Sequence, residues 1–287
     1  MKSLSKAIFG VAILALCGTV IAQELPRLSP KASILQTIGL TEVTITYCSP
    51  AVRGRVIWDG LVPYDKVWRT GANEATTISF ADPVSINGHE LNAGKYALFT
   101  VPGKKEWTIV FNTEPNQWGA FDKDDSKDIL EIKVTPKWNQ ESKERMSFHF
   151  ENMTENSAEV VLHWGKIDVP FTVTVDTQAK AIANIRAALD NLEEDDWATL
   201  NRCASYCIQN DILLDEAAKW LEKSISIQET FWNLRQKAQL SAKMGKTTDA
   251  IEIGLKAIDV SKSSDQPPPQ REVGLLEKMI AEWRADL

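Results

Sequence analysis

The spacing of the apolar residues changes once along this chain, near Gln178, and that change limits the folds open to it. Before Gln178, apolar and polar residues alternate with a period of two, which is typical of half-buried β-strands. After it, apolar residues recur every three to four positions, and Ala, Leu, Glu and Lys replace the β-branched residues. We therefore expect an antiparallel β domain over residues 23–177 and a helical domain over residues 178–287.

The first residues carry the pattern of a secretory signal peptide. Lys2 and Lys6 precede a short apolar run, and small residues lead up to Ala22. We expect residues 1–22 to be a signal peptide cleaved after Ala22, and the mature protein to be periplasmic or secreted. No later apolar stretch has the roughly 20 residues of a membrane-spanning helix, so we expect no membrane span.

The β domain is predicted to be a sandwich or jelly-roll-like fold, which gives an α+β chain. Turn residues separate its strands, and Asn87-Gly88 is the strongest hairpin signal among them. Pro170 has no N–H for a β-ladder, which predicts that the last strand begins at a sheet edge. The predicted strands are Ser33–Ile38, Val43–Tyr47, Val84–Ile86, His89–Leu91, Tyr96–Val101, Trp107–Phe111, Ile129–Thr135, Arg145–Glu151, Glu159–Trp164 and Val169–Val175.

The helical domain resembles tetratricopeptide repeats. Asp215–Lys223 and Thr248–Lys256 align at an offset close to the period of about 34 residues of that repeat. Because two repeats are fewer than usually stand alone, we expect a further helix over Val273–Trp283 to cap them. Such repeats form concave surfaces that hold peptides or proteins, so a protein partner is expected. The alternative is that the helices serve only for packing.

Three runs in the β domain carry a family resemblance. They are Arg53–Trp58, Leu61–Thr77 and Gly94–Gly103. Over about residues 29–175 the chain resembles the bacterial family called domain of unknown function 2911. The resemblance implies an exported, β-rich domain and implies no reaction. Cys48-Ser49-Pro50 departs from the Ser-Arg-Pro of relatives, which removes one positive charge.

The run from Arg53 to Glu74 holds the candidate binding residues. It lacks strand alternation, so we expect a long connection laid over a sheet, where binding residues are often found. Guanidinium groups bind carboxylates and phosphates, whereas aromatic rings stack on sugars and cations. A cleft for a small anionic or glycan-like ligand is therefore predicted, and its candidate contacts are Arg53, Arg55, Tyr64, Trp68, Arg69, Asn73 and Glu74.

The same residues have two other interpretations. In the structural one, Arg69 pairs with Glu74 or Asp65 to fix the connection, and the Trp rings cover the core. In the catalytic one, Glu74 serves a hydrolase of envelope material, with Asp65 as a second carboxylate. Since the sequence contains no complete catalytic or nucleotide signature, we favour a binding or scaffold protein that needs no cofactor. A purely structural envelope protein is the third alternative.

His149 and His163 are the candidate metal ligands. A hairpin centred on Asn156 places them opposite each other on one face, where a histidine pair can ligate zinc. A closed site needs further ligands, so two exposed histidines are the preferred interpretation.

Charge and cysteine content exclude two other classes. The formal net charge is −7 and no stripe of basic residues alternates with aromatic residues, so nucleic acid is not an expected partner. The three cysteines that follow the leader are an odd number, and two of them are only four positions apart in a predicted helix. The fold therefore depends on its apolar core and not on a disulfide framework.

Overall fold

The structure is a computed structural model that describes residues 25–121 and 123–287. The predicted signal peptide and its cleavage after Ala22 lie outside the described residues. The chain divides into two compact units between Val175 and Asp176. Within the described residues, the first unit contains two antiparallel sheets and the second contains six helices, so the α+β fold class is confirmed.

The first unit is a sandwich in which both sheets contribute to one apolar core. In the described residues, one sheet has the strand order β1-β2-β3-β6-β7-β8 and the other has the order β5-β4-β10-β9. The strands are β1 Lys31–Ile38, β2 Thr41–Cys48, β3 Thr76–Phe80, β4 Val84–Ile86, β5 His89–Leu91, β6 Gly94–Val101, β7 Trp107–Asn112, β8 Asp128–Val134, β9 Lys137–Glu151 and β10 Ser157–Thr174.

The strand β3 has no counterpart among the predicted strands. It lies between β2 and β6 in the middle of the larger sheet, and most of its residues are buried on both faces. Ile78 and Phe80 of β3 pack in the core and alternate with Thr77 and Ser79, so the signal was present. It covers only four residues directly after an irregular connection, which is short for identifying a strand.

One long strand replaces two predicted ones. The strands predicted at Glu159–Trp164 and Val169–Val175 are both parts of β10, which has register irregularities on either side of Gly165. The prediction that Pro170 begins an edge strand is wrong, because β10 lies inside its sheet. Pairing with β9 runs as far as Asp168, and pairing with β4 begins after Pro170. The missing N–H of Pro170 therefore removes no ladder hydrogen bond.

Four tryptophans join the sheets to the connection between β2 and β3. Trp107 lies on β7 of the larger sheet, Trp164 lies on β10 of the smaller sheet, and Trp58 and Trp68 come from the connection. The ring centroids of Trp58 and Trp107 are 4.9 Å apart, and those of Trp68 and Trp164 are 5.8 Å apart in a stacked arrangement. Such aromatic contacts add to the free energy that burial of the rings contributes.

The second unit consists of helices that pack in sequence order. The α2–α3, α3–α4, α4–α5 and α5–α6 pairs are all in contact. The helices are α1 Thr177–Asp190, α2 Trp197–Gln209, α3 Leu214–Ile227, α4 Phe231–Lys243, α5 Thr247–Lys262 and α6 Gln270–Ala285.

The repeat-like positions of the helical unit are closely packed. Ala217 on α3 and Ala250 on α5, which align in the sequence, are both fully buried. The helix expected over Val273–Trp283 is confirmed as part of α6. Cys203 and Cys207 on α2 are buried free thiols. The protein partner expected for this unit stays a prediction.

We expect Trp107→Ala to destabilise the protein by about 3–5 kcal/mol, since it removes a buried ring from the tryptophan cluster and leaves a cavity. Guanidinium unfolding followed by circular dichroism measures the loss. The matched control is Trp138→Ala, because Trp138 is 75% exposed while Trp107 is 2% exposed. A loss for Trp107→Ala no larger than that of the control would contradict this account of the core.

Candidate functional site

The connection between β2 and β3, residues 49–75, has unusual backbone geometry. As predicted, it contains no strand. Five of its non-glycine residues have positive φ angles, namely Arg53, Asp59, Asp65, Thr70 and Asn73. This conformation is uncommon outside glycine, and clusters of it occur at binding and active sites.

Thr70 is the most constrained of these residues. It is a β-branched residue at φ 54°, which costs conformational energy, and it is fully buried. Its carbonyl accepts a hydrogen bond from the hydroxyl of Thr76 at 2.7 Å. Its own hydroxyl lies 3.2 Å from that of Thr100 and 3.3 Å from the carbonyl of Trp68. These contacts fix the backbone beside Arg69.

A second loop, between β7 and β8, covers part of the larger sheet. We call its described residues, 113–121 and 123–124, the covering loop. Ala75 N–H donates to the carbonyl of Gln117 at 2.9 Å, and Gly119 N–H donates to the carbonyl of Asn73 at 3.1 Å. Ala120 packs on a small apolar cluster that includes Phe99. The covering loop is thereby attached to the end of the 49–75 connection, and its residues help to line the two pockets described next.

The first pocket, which we call the Glu74 pocket, has a volume of about 340 Å³. Its wall combines the ends of β2 and β3 with the covering loop, and it includes Cys48, Glu74, Lys95 and Trp118. Trp118 is 62% exposed. The pocket is therefore polar on the sheet side and aromatic on the loop side.

Glu74 is held in its ionised form. Arg27 Nη1 donates to both carboxylate oxygens of Glu74, at 2.7 and 3.0 Å, and the Cys48 thiol donates to Oε2 at 3.2 Å. The hydrogen bond from Arg27 is the largest cause that lowers the pKa of Glu74, to about 2. Burial raises the pKa of the Cys48 thiol. At neutral pH the pair is thus a carboxylate and a neutral thiol.

Three of the seven candidate ligand contacts bind the chain's own N-terminal segment, residues 25–30. Arg53 Nη2 donates to one backbone carbonyl of this segment at 3.2 Å, and Asn73 Nδ2 donates to another at 3.3 Å. Glu74 binds its Arg27. The polar groups of these three residues are therefore engaged within the protein.

Two further candidates point elsewhere. Arg55 turns back on its own connection and donates to the carbonyls of Ala51 and Val52, at 2.5 and 3.0 Å. The ammonium of Lys104 lies 5.8 Å from the centre of the Tyr64 ring. Neither residue lines the two pockets beside the covering loop.

The last two candidates, Trp68 and Arg69, share the second pocket, which has a volume of about 240 Å³. We call it the Arg69 pocket. The Nε atom of Arg69 is buried and makes no hydrogen bond with the described residues, and no described carboxylate forms an ion pair with this guanidinium. Burial lowers the pKa of Arg69. The expected pairing of Arg69 with Glu74 or Asp65 is therefore absent from the described part of the chain.

Of the seven candidates, only Trp68 and Arg69 line the same pocket, and the two pockets include residues that the sequence reasoning missed. Trp118, Phe121 and Lys95 line the two pockets, but they come from the covering loop and β6. The sequence did contain a signal for Trp118 and Phe121, because both are large aromatic residues within a loop rich in Pro, Asn, Gly and Asp.

The two candidate metal ligands lie on one face, but not directly opposite each other. His149 pairs with Val161 and His163 pairs with Ser147, a shift of two positions from the predicted register. The rings are diagonal neighbours with centroids 5.7 Å apart.

The prediction that both histidines are exposed is also wrong. His163 is buried and contacts the carboxylate of Asp168, while His149 bonds the hydroxyl of Ser147 at 3.1 Å. Within the described residues, no group of three or more His, Cys, Asp or Glu residues is placed to hold a metal ion. Within the same residues, no helix combines the length and apolar character needed to cross a membrane.

We expect Arg27→Gln to raise the pKa of Glu74 from about 2 toward its ordinary value of 4.5, because it removes the main hydrogen-bond donor. The ion pair stabilises the protein above pH 4.5, and this stabilisation is lost as the pH falls toward 2. Since both side chains are exposed enough for water to screen the pair, we expect this stabilisation to be small.

A carbon-13 NMR titration of the Glu74 carboxylate measures this pKa. Lys133→Gln is the matched control, since it removes the exposed ion pair with Glu106 elsewhere in the same unit. An unchanged Glu74 titration in Arg27→Gln, or an equal shift in the control, would refute the assignment.

Comparison with known protein families gives one match, over residues 29–173, to a family described as "Protein of unknown function (DUF2911)". Comparison with curated proteins gives no match, and neither does comparison with solved structures. The matched residues include both sheets, the 49–75 connection and the covering loop, and they amount to half of the chain. The chain belongs to the DUF2911 family of proteins of unknown function.

Proposed function

We propose that this protein is an exported binding protein whose β domain holds a small anionic ligand at Arg69. The observation that supports the proposal is the state of the Arg69 guanidinium. It is half-buried in a pocket, its Nε is fully buried, and it has no hydrogen-bond or ion-pair partner among the described residues.

An unpaired charge in this position destabilises the folded protein. Removing a charged group from water costs free energy unless a counter-charge or hydrogen bonds replace the lost hydration. Arginine remains protonated in proteins, so Arg69 cannot avoid this cost by losing its proton. A bound carboxylate or phosphate would supply a counter-charge and acceptors for the solvent-accessible N–H groups of the guanidinium.

A second cation strengthens the preference for an anion. Lys66 lines the same pocket, and no described carboxylate lies within ion-pair distance of it. The described lining residues of the pocket include no Asp or Glu. The pocket therefore presents two positive charges and no described negative charge.

The structural interpretation fits Arg69 less well. A purely structural Arg69 needs a carboxylate or carbonyl partner, which Arg53 and Arg55 have and Arg69 lacks among the described residues.

The hydrolase interpretation also has less support. A general acid must be protonated near the working pH, whereas Glu74 has a pKa of about 2 and is bound by Arg27.

We expect Arg69→Leu to abolish anion binding and, in the absence of ligand, to stabilise the protein by about 1 kcal/mol or more. The stabilisation arises because the variant replaces an unpaired, half-buried charge with an uncharged apolar side chain. Thermal unfolding with and without phosphate, sulfate and small carboxylates measures both effects, since a ligand that binds the folded state raises the melting temperature.

The control is Arg53→Leu, an exposed position of the same connection. This variant should change the free energy of unfolding by no more than about 0.5 kcal/mol, and anions should still raise its melting temperature. The proposal fails if no anion raises the melting temperature of the wild-type protein, or if the increase persists in Arg69→Leu.

The location outside the cytoplasm is part of the proposal and is supported by the leader pattern at residues 1–22. Expression of the full-length chain in a bacterial host should yield an extracytoplasmic protein whose first residue is Gln23. Intact-mass measurement of that fraction tests this, and a protein that keeps Met1 and stays in the cytoplasm would contradict it.

A further inference from the structure

The walls of the Arg69 pocket are apolar apart from the two cations. Leu61, Val67 and Phe121 line it and are 45%, 42% and 88% exposed. The other apolar lining residues are Val62, Pro63, Trp68 and Ala120. Large apolar side chains that remain exposed around one concave site indicate a surface that a ligand covers.

One wall is held rigidly by the backbone. Trp68 N–H donates to the carbonyl of Thr100 at 2.7 Å, and Thr100 N–H donates back to Trp68 at 2.9 Å. Asp65 N–H donates to the carbonyl of Pro102 at 2.8 Å. The segment that carries Val67 and Arg69 is therefore fixed to β6 before a ligand arrives, which lowers the entropy cost of binding.

The other wall depends on Gly119 in the covering loop. Gly119 has a φ of +73°, and a Cβ atom there would lie 2.9 Å from the ring of Phe121. Only glycine permits both this backbone conformation and this close approach. The ring of Phe121 is thus packed on the backbone of its own loop while it borders the pocket.

These walls do not suit a sugar. A sugar presents hydroxyl groups in several directions and needs many hydrogen-bond partners, but Lys66 and Arg69 are the only charged side chains among the described lining residues. At about 240 Å³, the pocket is also smaller than the roughly 300–1,000 Å³ typical of sites that enclose drug-sized ligands.

We propose that the ligand is a small organic anion in which one acidic group is attached to an aryl or branched alkyl body. This inference rests on the proposed function, since it needs Arg69 to be the anion-binding group. The acidic group contacts Arg69 and Lys66, while the body lies against Leu61, Val67 and Phe121.

The test compares the binding of three carboxylates to the mature protein, residues 23–287, by NMR titration. Phenylacetate carries an aryl body, acetate carries almost no body, and galacturonate carries a sugar body. We expect phenylacetate to bind at least about tenfold more tightly than either of the others, because only its body buries apolar surface.

Phe121→Ser separates the apolar wall from the anion-binding group. Since Phe121 is almost fully exposed, the variant should fold normally. We expect phenylacetate to bind about tenfold more weakly and acetate to bind as before. Trp138→Ser is the matched control, because it removes another exposed aromatic residue that does not line the pocket and should leave all three affinities unchanged.

The outcomes distinguish this inference from the proposed function. If galacturonate binds as tightly as phenylacetate, or if Phe121→Ser leaves phenylacetate affinity unchanged, the apolar ligand class is wrong although Arg69 still binds anions. If none of the three binds to the wild-type protein and no other anion does, both proposals are wrong. If binding survives in Arg69→Leu, the anion lies elsewhere and both are again wrong.

Discussion

The contact of four indole rings between the two sheets is the interaction on which the rest of the β domain depends. Two of the rings, those of Trp58 and Trp68, belong to the connection between β2 and β3 and not to a sheet. A loop without regular structure is thereby made part of the core. Because Arg69 directly follows the stacked ring of Trp68, the packing of the core also determines where the unpaired guanidinium lies.

The parts of the fold that follow from local pattern were predictable. Alternation identified most strands, and the change of period near Gln178 separated the sheets from the helices. The strand β3 was missed because its alternation covers only Thr77–Phe80 and directly follows the irregular 49–75 connection. The continuity of β10 through Pro170 depends on which neighbour pairs at that point, and the sequence of one strand does not contain that information.

The chemistry of the site was more predictable than its assembly. The clustering of Arg and Trp residues singled out the 49–75 connection, but the partners of these residues come from distant parts of the chain. Glu74 is bound by Arg27, and the pocket around Arg69 is completed by Phe121. In the same way, a hairpin displaced by two positions keeps His149 and His163 on one face, but the alternation pattern did not predict that His163 is buried beside Asp168. Contacts between residues far apart in the sequence depend on how the loops pack, and the local sequence pattern does not show this.

The conformation of Thr70 restricts how this segment can evolve. Glycine would relax the left-handed backbone but lose the hydroxyl that meets Trp68 and Thr100, whereas serine would keep the hydroxyl and lose the packed methyl group. Each of these substitutions therefore removes one of the contacts that fix the backbone beside Arg69. Substitutions of the exposed residues that line the Arg69 pocket are therefore less restricted than substitutions of Thr70.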